Sequence, residues 1–355
     1  MQINTFKTLL LSLFLSISIF GYSSESESKE NEPFDTKELI FHHIKDSHGF
    51  HVAGDISVPL PVILWTDSGL VTFMSSEFHH DVDGKTIVEK KGLKFVNLHE
   101  KIYQLNVDAT TVSFDAEHHP ENAVRPLDIS ITKNVFSMFL SMIAILLIFL
   151  TAARSYKKST NGMPTGVAKF MEPIILFIRD EVAIPNIGEK KYQKYMPFLL
   201  TLFFFIWLNN IFGLIPFFPF SSNLSGNIAF TLTLATITFI ITLFSSKSTY
   251  WKHMLWMPGL PVPMKIFLAP IEFMGMFIKP IALTIRLFAN ITAGHIIVLS
   301  LISLTFIFQN YIVGAGSVLF VVFISVIEVL VVAIQAYIFT MLSALYFGQA
   351  LEEEH

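Results

Sequence analysis

Long stretches without a charged residue limit the possible folds of this sequence more than any other feature, and two of them precede the last apolar region. These two span residues 134–153 and residues 195–246. A helix that crosses the ~30 Å hydrocarbon core of a bilayer needs about 20 apolar residues. Because only 15% of the whole chain is charged and 52% is hydrophobic, a soluble globular fold is disfavoured. The sequence therefore predicts a protein that crosses a membrane several times.

Five membrane-spanning helices are expected from the apolar runs. These runs cover residues 134–153, 196–215, 226–245 and 266–349. The last run is long enough for two helices, and the polar segment 309–311 divides it into a long membrane-embedded hairpin. Pro216 is expected to end the second helix, because the residue before a proline avoids helical geometry. We predict an all-α polytopic membrane domain over residues 133–349, followed by a cytoplasmic tail at residues 350–355.

A polar region precedes the spans and is predicted to be exported. Residues 22–132 contain 19 of the 28 acidic residues and nine of the 12 histidines. Ahead of them, residues 1–22 combine Lys7 with an apolar run at 9–20, which is typical of a secretory signal peptide. An uncleaved anchor helix is the alternative. Either one would export the polar domain, residues 23–132.

Short apolar runs between turns predict that this exported domain is small and β-rich. The predicted strands lie at 58–65, 70–73, 86–89, 93–97, 103–107 and 111–114. Asp83-Gly84 is typical of a tight hairpin turn. The nine histidines allow two interpretations, a Zn²⁺ or Cu²⁺ site or solvated surface side chains. We favour the second, since adjacent histidines on a strand point to opposite faces and each pair offers one ligand per site.

The distribution of basic residues orients the spans, since cytoplasmic loops are enriched in lysine and arginine. Residues 154–195 carry eight Lys/Arg and four acids, which places them in the cytoplasm. The uncharged loop 216–225 then lies outside, and Lys247 and Lys252 return the chain to the cytoplasm. Five spans therefore put the exported domain in the periplasm of a bacterial inner membrane and the C-terminus in the cytoplasm.

A few charged side chains lie inside the last apolar region. Arg286 cannot lose its proton, and a charge at the bilayer centre costs at least about 2.5–3.5 kcal/mol. Glu272, Lys279 and Arg286 are seven residues apart and share one helix face with Asn290. Small residues beside them permit another backbone to approach closely. Arg286 therefore pairs either with Glu272 or Glu328 in this chain or with a partner across that face.

Polar residues also mark the two helices of the hairpin. Glu328 and Gln335 are seven residues apart and share a face of the last helix, which contains no lysine or arginine. His295 on the preceding helix is the expected partner of Glu328. A carboxylate and an imidazole can exchange protons near neutral pH, which indicates a proton relay. The alternative is a buried pair that holds the hairpin together.

Four ordered motifs in residues 130–349 resemble subunit a of F-type rotary ATP synthases. They are FIRDEV at 177–182 with NIG at 186–188, NIFGLIP at 210–216, RLFANITAG at 286–294 and QAYIFTML at 335–342. Some members carry an acid after the Ala-Gly and a histidine on the last helix. Here His295 and Glu328 occupy those places in swapped order. The exported domain is also longer than the N-terminus of many members.

The resemblance implies an ion-conducting stator subunit of the Fo sector with two aqueous half-channels. It implies that Arg286 stands between them and meets each passing rotor carboxylate. The side chains implied for the outer half-channel are His295, Glu328, Asn290 and Gln335. Glu272 is implied for the inner one, with Lys279 nearby. The implied partners are the rotor c-ring, subunit b of the peripheral stalk, the F1 ATPase sector and the lipid bilayer.

Other functional classes fit the sequence less well. No Gly-x-x-x-x-Gly-Lys-Ser/Thr run occurs, so we expect neither a nucleotide site nor enzyme activity in this chain itself. A net charge of −4 does not indicate nucleic-acid binding, and no cofactor or metal is expected. The alternative function is a secondary transporter or channel with a periplasmic sensing domain. Transporters usually contain inverted repeats, and the sequence shows no such repeat.

Overall fold

The computed structural model describes most of the chain. The described residues are 45–53, 56–106, 109, 111–115, 120–158, 165–215, 218–256 and 261–351. Several predictions fall outside them, namely the signal peptide at 1–22, the histidine pairs at 42–43 and 118–119, and the end of the tail at 352–355.

Short antiparallel strands make up the first part of the described chain. They are β1 (Gly49–Ala53), β2 (Ile56–Pro59), β3 (Pro61–Thr66), β4 (Gly69–Met74), β5 (Val88–Lys90), β6 (Leu93–Leu98), β7 (Lys101–Leu105), β8 (Ala123–Val124) and β9 (Leu127–Asp128). β1 pairs with β2, β3 lies between β4 and β9, and β5 to β8 form a third sheet in sequence order. We call this region the β-domain. The predicted β-rich region is present.

The core of the β-domain follows from the alternation of side chains along its strands. On β3, Val62 and Leu64 are buried while Trp65 is exposed, as expected for a strand with one face on the core. β6 is buried on both faces. Phe95 packs in the main hydrophobic cluster, and its neighbour Val96 packs in a second cluster on the other side.

The predicted hairpin at Asp83-Gly84 is wrong. The residues before it form a 3-10 helix, Ser75–Phe78, rather than a strand. The Asp81 carboxylate accepts hydrogen bonds from the backbone N–H groups of Asp83 and Thr86. Because these local bonds satisfy the backbone, a loop replaces the hairpin. The predicted strand at 111–114 is likewise reduced to one isolated bridge.

Most of the remaining described residues form helices. They are α1 (Lys133–Lys158), α2 (Val167–Phe177), α3 (Ile184–Ile187), α4 (Tyr192–Leu214), α5 (Ile228–Ser245), α6 (Ser248–Leu255), α7 (Val262–Phe308) and α8 (Tyr311–Leu351). Among these described helices, α1, α4, α5, α7 and α8 are long and apolar enough to cross a membrane. This number agrees with the five predicted spans. Ile215 is extended ahead of Pro216, and Gln309 in the left-handed region ends α7, so both predicted breaks occur.

The last two helices form a hairpin that is too long to stand upright in a bilayer. α7 has 47 residues and α8 has 41. At 1.5 Å per residue α7 is about 70 Å long, more than twice the ~30 Å hydrocarbon thickness. Since exposed apolar side chains occur along both helices, the hairpin stays within the membrane only at a steep tilt.

The segment between α1 and α4 supports the end of α8. α2 continues through a π-helical turn, Ile178–Ala183, into the short helix α3. A Cβ atom added at Gly348 of α8 would lie 1.9 Å from the carbonyl oxygen of Asn186. The helix therefore packs directly on the backbone of α3, and glycine is required at that contact.

The helical bundle has a β-domain end and a distal end. At the β-domain end, the Lys133 N–H at the start of α1 donates to the carbonyl oxygen of Ser47 at 2.9 Å. At the distal end, the Lys247 N–H after α5 donates to the carbonyl oxygen of Ala350 at 3.1 Å. α8 packs against both α7 and α4, and α5 packs against α7.

Candidate functional site

Helix α7 has one side packed in the bundle and one open face. Leu283, Leu287 and Ile291 are buried on the packed side. The exposed residues that define the open face are Glu272, Ala282, Arg286, Ala289, Asn290 and Ala293. Three of these six are alanines, so the surface around the arginine is shallow. This face is shaped for close contact with another helix.

Arg286 makes no ion pair within the part of the chain that the structure describes. The ionisable group next to Glu328 is His295 instead. Glu272 lies close enough to Lys279 to act on it electrostatically. The alternative in which Arg286 forms a salt bridge with Glu272 or Glu328 is therefore wrong.

The seam between α7 and α8 brings the predicted carboxylate and imidazole together. His295 Nε2 lies 4.0 Å from Glu328 Oε1, which is within ion-pair range and too long for a direct hydrogen bond. Glu328 is only 6% exposed, and its Oε1 has no hydrogen-bond partner among the described residues. Burying a carboxylate oxygen without a hydrogen-bond partner costs free energy of folding. The position of Glu328 therefore indicates a functional role or contact with water.

Gly294 makes room for the Glu328 carboxylate. A Cβ atom at position 294 would lie 2.6 Å from Glu328 Oε1 and 3.1 Å from its carboxyl carbon. Any larger residue would displace the carboxylate from its place beside His295. The glycine of the RLFANITAG motif is thus explained by a close helix–side-chain contact.

The two other side chains expected near this pair lie on different surfaces. Gln335 is buried on α8, two turns beyond Glu328. Asn290 is exposed on the open face, one turn beyond Arg286. The structure therefore groups Gln335 with the seam and Asn290 with the arginine.

A small cavity lies beside Lys279 toward the distal end. The Lys279 ammonium donates to Gln349 Oε1 at 2.8 Å and lies 5.3 Å from the centre of the Tyr346 ring. The cavity has a volume of about 20 Å³, enough for one water molecule. Its other polar lining residues are Thr238, Thr242 and Tyr250. Burial raises the pKa of the Tyr250 hydroxyl, and the Glu272 carboxylate raises it further, which places Glu272 near this cavity.

A group of buried polar side chains at the β-domain end was not predicted. Each has an atom without a hydrogen-bond partner among the described residues; they are Ser137, Asn209, Asn210, Asn223 and Ser225. The 3-10 turn Leu224–Gly226, which carries one of them, packs against α4, α5 and α7. The signal was present in the sequence, since two adjacent asparagines interrupt the apolar run of α4.

The histidines of the β-domain do not behave alike. His79, His80 and His99 are exposed, as expected for solvated side chains. His48 is only 5% exposed and its Nε2 lies 3.3 Å from Asp128 Oδ2, so the solvated interpretation is wrong there. Among the residues whose placement is described, no group of three or more His, Asp or Glu side chains is arranged to hold a metal ion.

These features define a class of protein. The chain is a polytopic membrane protein with a buried carboxylate–imidazole pair, a charged open face and polar side chains reaching in from both ends. Ionisable residues inside a membrane mark ion pathways and proton relays. The fold and the site thus fit a subunit that passes ions across a membrane.

Comparisons with known proteins give the family. The family model described as "ATP synthase A chain" matches residues 135–348. ATP synthase subunit a of Chloroherpeton thalassium is 44% identical over 247 residues, which cover 68% of this chain and 72% of that protein. ATP synthase subunit a 2 of Chlorobaculum tepidum is 46% identical over 254 residues, covering 69% and 70%. Residues 39–129 match a second model, "Domain of unknown function (DUF8433)".

The chain belongs to the ATP synthase subunit a family. It is accordingly the non-catalytic, proton-channel stator subunit of the Fo sector, and ATP chemistry belongs to other subunits of the complex. Family membership replaces the alternative of a secondary transporter or ligand-gated channel.

Proposed function

We propose that Arg286 is the fixed charge that meets the carboxylate of each rotor subunit as it passes between two half-channels. The observation that carries this proposal is an exposed arginine on an alanine-lined face, without an ion pair in the described chain. An arginine stays charged and is expensive inside a bilayer. It therefore calls for an anionic partner on another chain. The alanines let a partner helix approach closely, and Asn290 is assigned to the same contact.

The outer half-channel runs from the β-domain end to Glu328. Leaving a buried polar atom without a partner costs about 1–3 kcal/mol, and ordered water removes that cost. The buried polar group around Asn210 and Ser225 thus supports a hydrated path from that end. Glu328 and His295 then exchange the proton with the rotor carboxylate, with Gln335 beside them. Exchanging the two residues between helices leaves this chemistry intact, because the pair is the same.

The inner half-channel opens at the distal end. The cavity at Lys279 is large enough for water, and Glu272 lies beside it on α7. Lys279 is held by Gln349, so its charge has a fixed position. We assign Glu272 to proton exchange and Lys279 to its electrostatic support.

The β-domain lies on the periplasmic side and the C-terminus in the cytoplasm. Basic residues at the distal end, such as Lys157, Lys158 and Lys191, support this orientation. In this arrangement the open face of α7 contacts the rotor c-ring. Subunit b of the peripheral stalk and the F1 sector complete the complex that this family membership implies.

The test is ATP-driven proton pumping in inverted membrane vesicles. Arg286→Ala should abolish coupled pumping while the complex still assembles, because the rotor carboxylate loses its counter-charge. Arg154→Ala is the matched control, since Arg154 is an exposed arginine at the end of α1, and it should pump normally. Pumping by Arg286→Ala at the wild-type rate would overturn the proposal.

A further inference from the structure

A chamber of about 490 Å³ lies between the β-domain and the helical bundle. Its roof is formed by the β-domain, including His48, His99 and Tyr103. Its floor includes Thr132, which precedes α1, and Asn227, which precedes α5. The size is in the range of ligand and solvent pockets, and most of the lining side chains are polar. The chamber is therefore a water-accessible space directly above the bundle.

The roof of the chamber is fixed to the bundle. The Asn134 N–H in α1 donates to Asp46 Oδ1 at 3.1 Å. The rings of Phe50, Phe136 and Phe218 form a cluster with centroids 5.3–6.2 Å apart. These contacts join the β-domain to α1 and to the loop after α4. The chamber is thus a built part of the fold rather than a gap beside a loosely attached domain.

The floor of the chamber adjoins the proposed outer half-channel. The Asn227 side chain accepts a hydrogen bond from the Ala229 N–H at 3.0 Å and so caps α5. Just before it in the chain lie Asn223 and Ser225, both buried with a side-chain atom lacking a partner among the described residues. Water in the chamber therefore has a short polar connection into the bundle.

One residue of the wall is a buried histidine that a carboxylate holds in place. His48 is 5% exposed, and its Nδ1 has no hydrogen-bond partner in the described structure, while its Nε2 faces Asp128. Burial would raise the pKa of the Asp128 carboxyl, but hydrogen bonds from His48 and Ser130 outweigh it and lower that pKa to about 2. Asp128 thus stays ionised and holds Nε2 as a donor, which leaves Nδ1 as the acceptor.

We propose that protons enter the outer half-channel through the water of this chamber, between the β-domain and the start of α5. The other charged groups around the same space are Lys45, Asp46, His99, Glu100, Lys101 and Arg125. Lys133, buried at the start of α1, is also acted on by Asp46 and Glu100. This assigns the β-domain a role as the mouth of the path and rests on the proposed function.

A blocking experiment on the whole complex tests the route. The chain has no cysteine, so Asn227→Cys and Thr132→Cys each add a single thiol to this subunit. The complex is treated with a sulfonate-bearing methanethiosulfonate, reconstituted, and assayed for ATP synthesis driven by a pH jump. Most of the synthesis should be lost on labelling relative to the same variant before treatment. Thr72→Cys, exposed on β4 away from the chamber, should keep its activity.

Each outcome decides the matter. Full labelling of both chamber cysteines with unchanged synthesis would overturn the route, and so would an equal loss in Thr72→Cys. Glu328→Gln serves as the reference for the rest of the path. If it loses synthesis while the labelled chamber variants keep theirs, the chamber proposal alone fails. If it keeps synthesis, the proposed function fails.

Discussion

The β-domain and the helical bundle use charged side chains in different ways. In the β-domain, charged side chains form partly exposed pairs such as Lys90 with Glu77 at 2.9 Å. In the bundle, Arg286 has no ion pair within the described residues, and Glu328 is buried with an oxygen that lacks a hydrogen-bond partner there. A charge in water costs little, whereas one inside a bilayer costs several kcal/mol. We therefore expect the charged residues of the bundle to act in transport. Removing them should reduce pumping far more than removing charged residues of the β-domain.

After the loss of pumping expected for Arg286→Ala, the next largest of these effects is expected for Glu328→Gln. The amide keeps the shape of the side chain but cannot bind and release protons, so ATP-driven pumping should fall by about 10²-fold, as when a positioned acid–base group is lost. The complex should still assemble, which is measured by the amount of F1 retained on the membranes. Normal pumping in this variant would remove Glu328 from the path and with it the contrast between the two regions.

A smaller effect is expected for Gly294→Ala. The added Cβ would lie 2.6 Å from Glu328 Oε1 and would push the carboxylate away from His295. If the displacement raises the barrier to proton transfer by about 1.4 kcal/mol, the pumping rate falls about tenfold.

Gly316→Ala on α8 is the matched control, because its Cβ would meet nothing within 4 Å. It should pump like the wild type. Equal rates in both variants would show that the close contact at Gly294 has no part in transport.

Gly348→Ala should reduce stability rather than transport chemistry. Its Cβ would meet the Asn186 carbonyl oxygen at 1.9 Å, and α8 would have to move away from α3. Overpacking of this kind costs about 1–3 kcal/mol, so the thermal unfolding temperature of the purified complex should drop. Gly316→Ala again provides the comparison, and an unchanged unfolding temperature in Gly348→Ala would contradict the packing described for the end of α8.

The smallest effect is expected for Lys90→Ala in the β-domain. Exposed ion pairs contribute about 0–1 kcal/mol, so both the unfolding temperature and the pumping rate should stay close to those of the wild type. A loss of pumping comparable to that of Glu328→Gln would show that charges in the two regions are not used differently.

The spans and the charged positions of the hairpin were predictable because both depend on local sequence. Long uncharged runs predicted the five helices, and the polar residues at 309–311 predicted the break between α7 and α8. His295 and Glu328 stood out as ionisable residues in apolar surroundings. The prediction that they lie near each other is confirmed, since His295 Nε2 is 4.0 Å from Glu328 Oε1.

Features that depend on tertiary contacts were not predictable in the same way. The need for glycine at 294 and 348 arises from groups on other helices. Asp83-Gly84 had the composition of a hairpin turn, but the Asp81 carboxylate formed a competing loop. The buried position of His48 depends on Asp128, 80 residues away in sequence, and no local pattern distinguishes it from the exposed histidines.

Cross-linking tests most directly the claim that the open face of α7 meets the rotor. Since the chain contains no cysteine, Ala289→Cys places one thiol of this subunit on that face. Leu146→Cys is the control, because Leu146 is exposed on α1, a helix that packs against α4. The complex is assembled with a rotor ring that carries one cysteine beside its carboxylate, and is then oxidised in the membrane. The account predicts a disulfide-linked product with Ala289→Cys and none with Leu146→Cys, whereas a product with Leu146→Cys alone would contradict it.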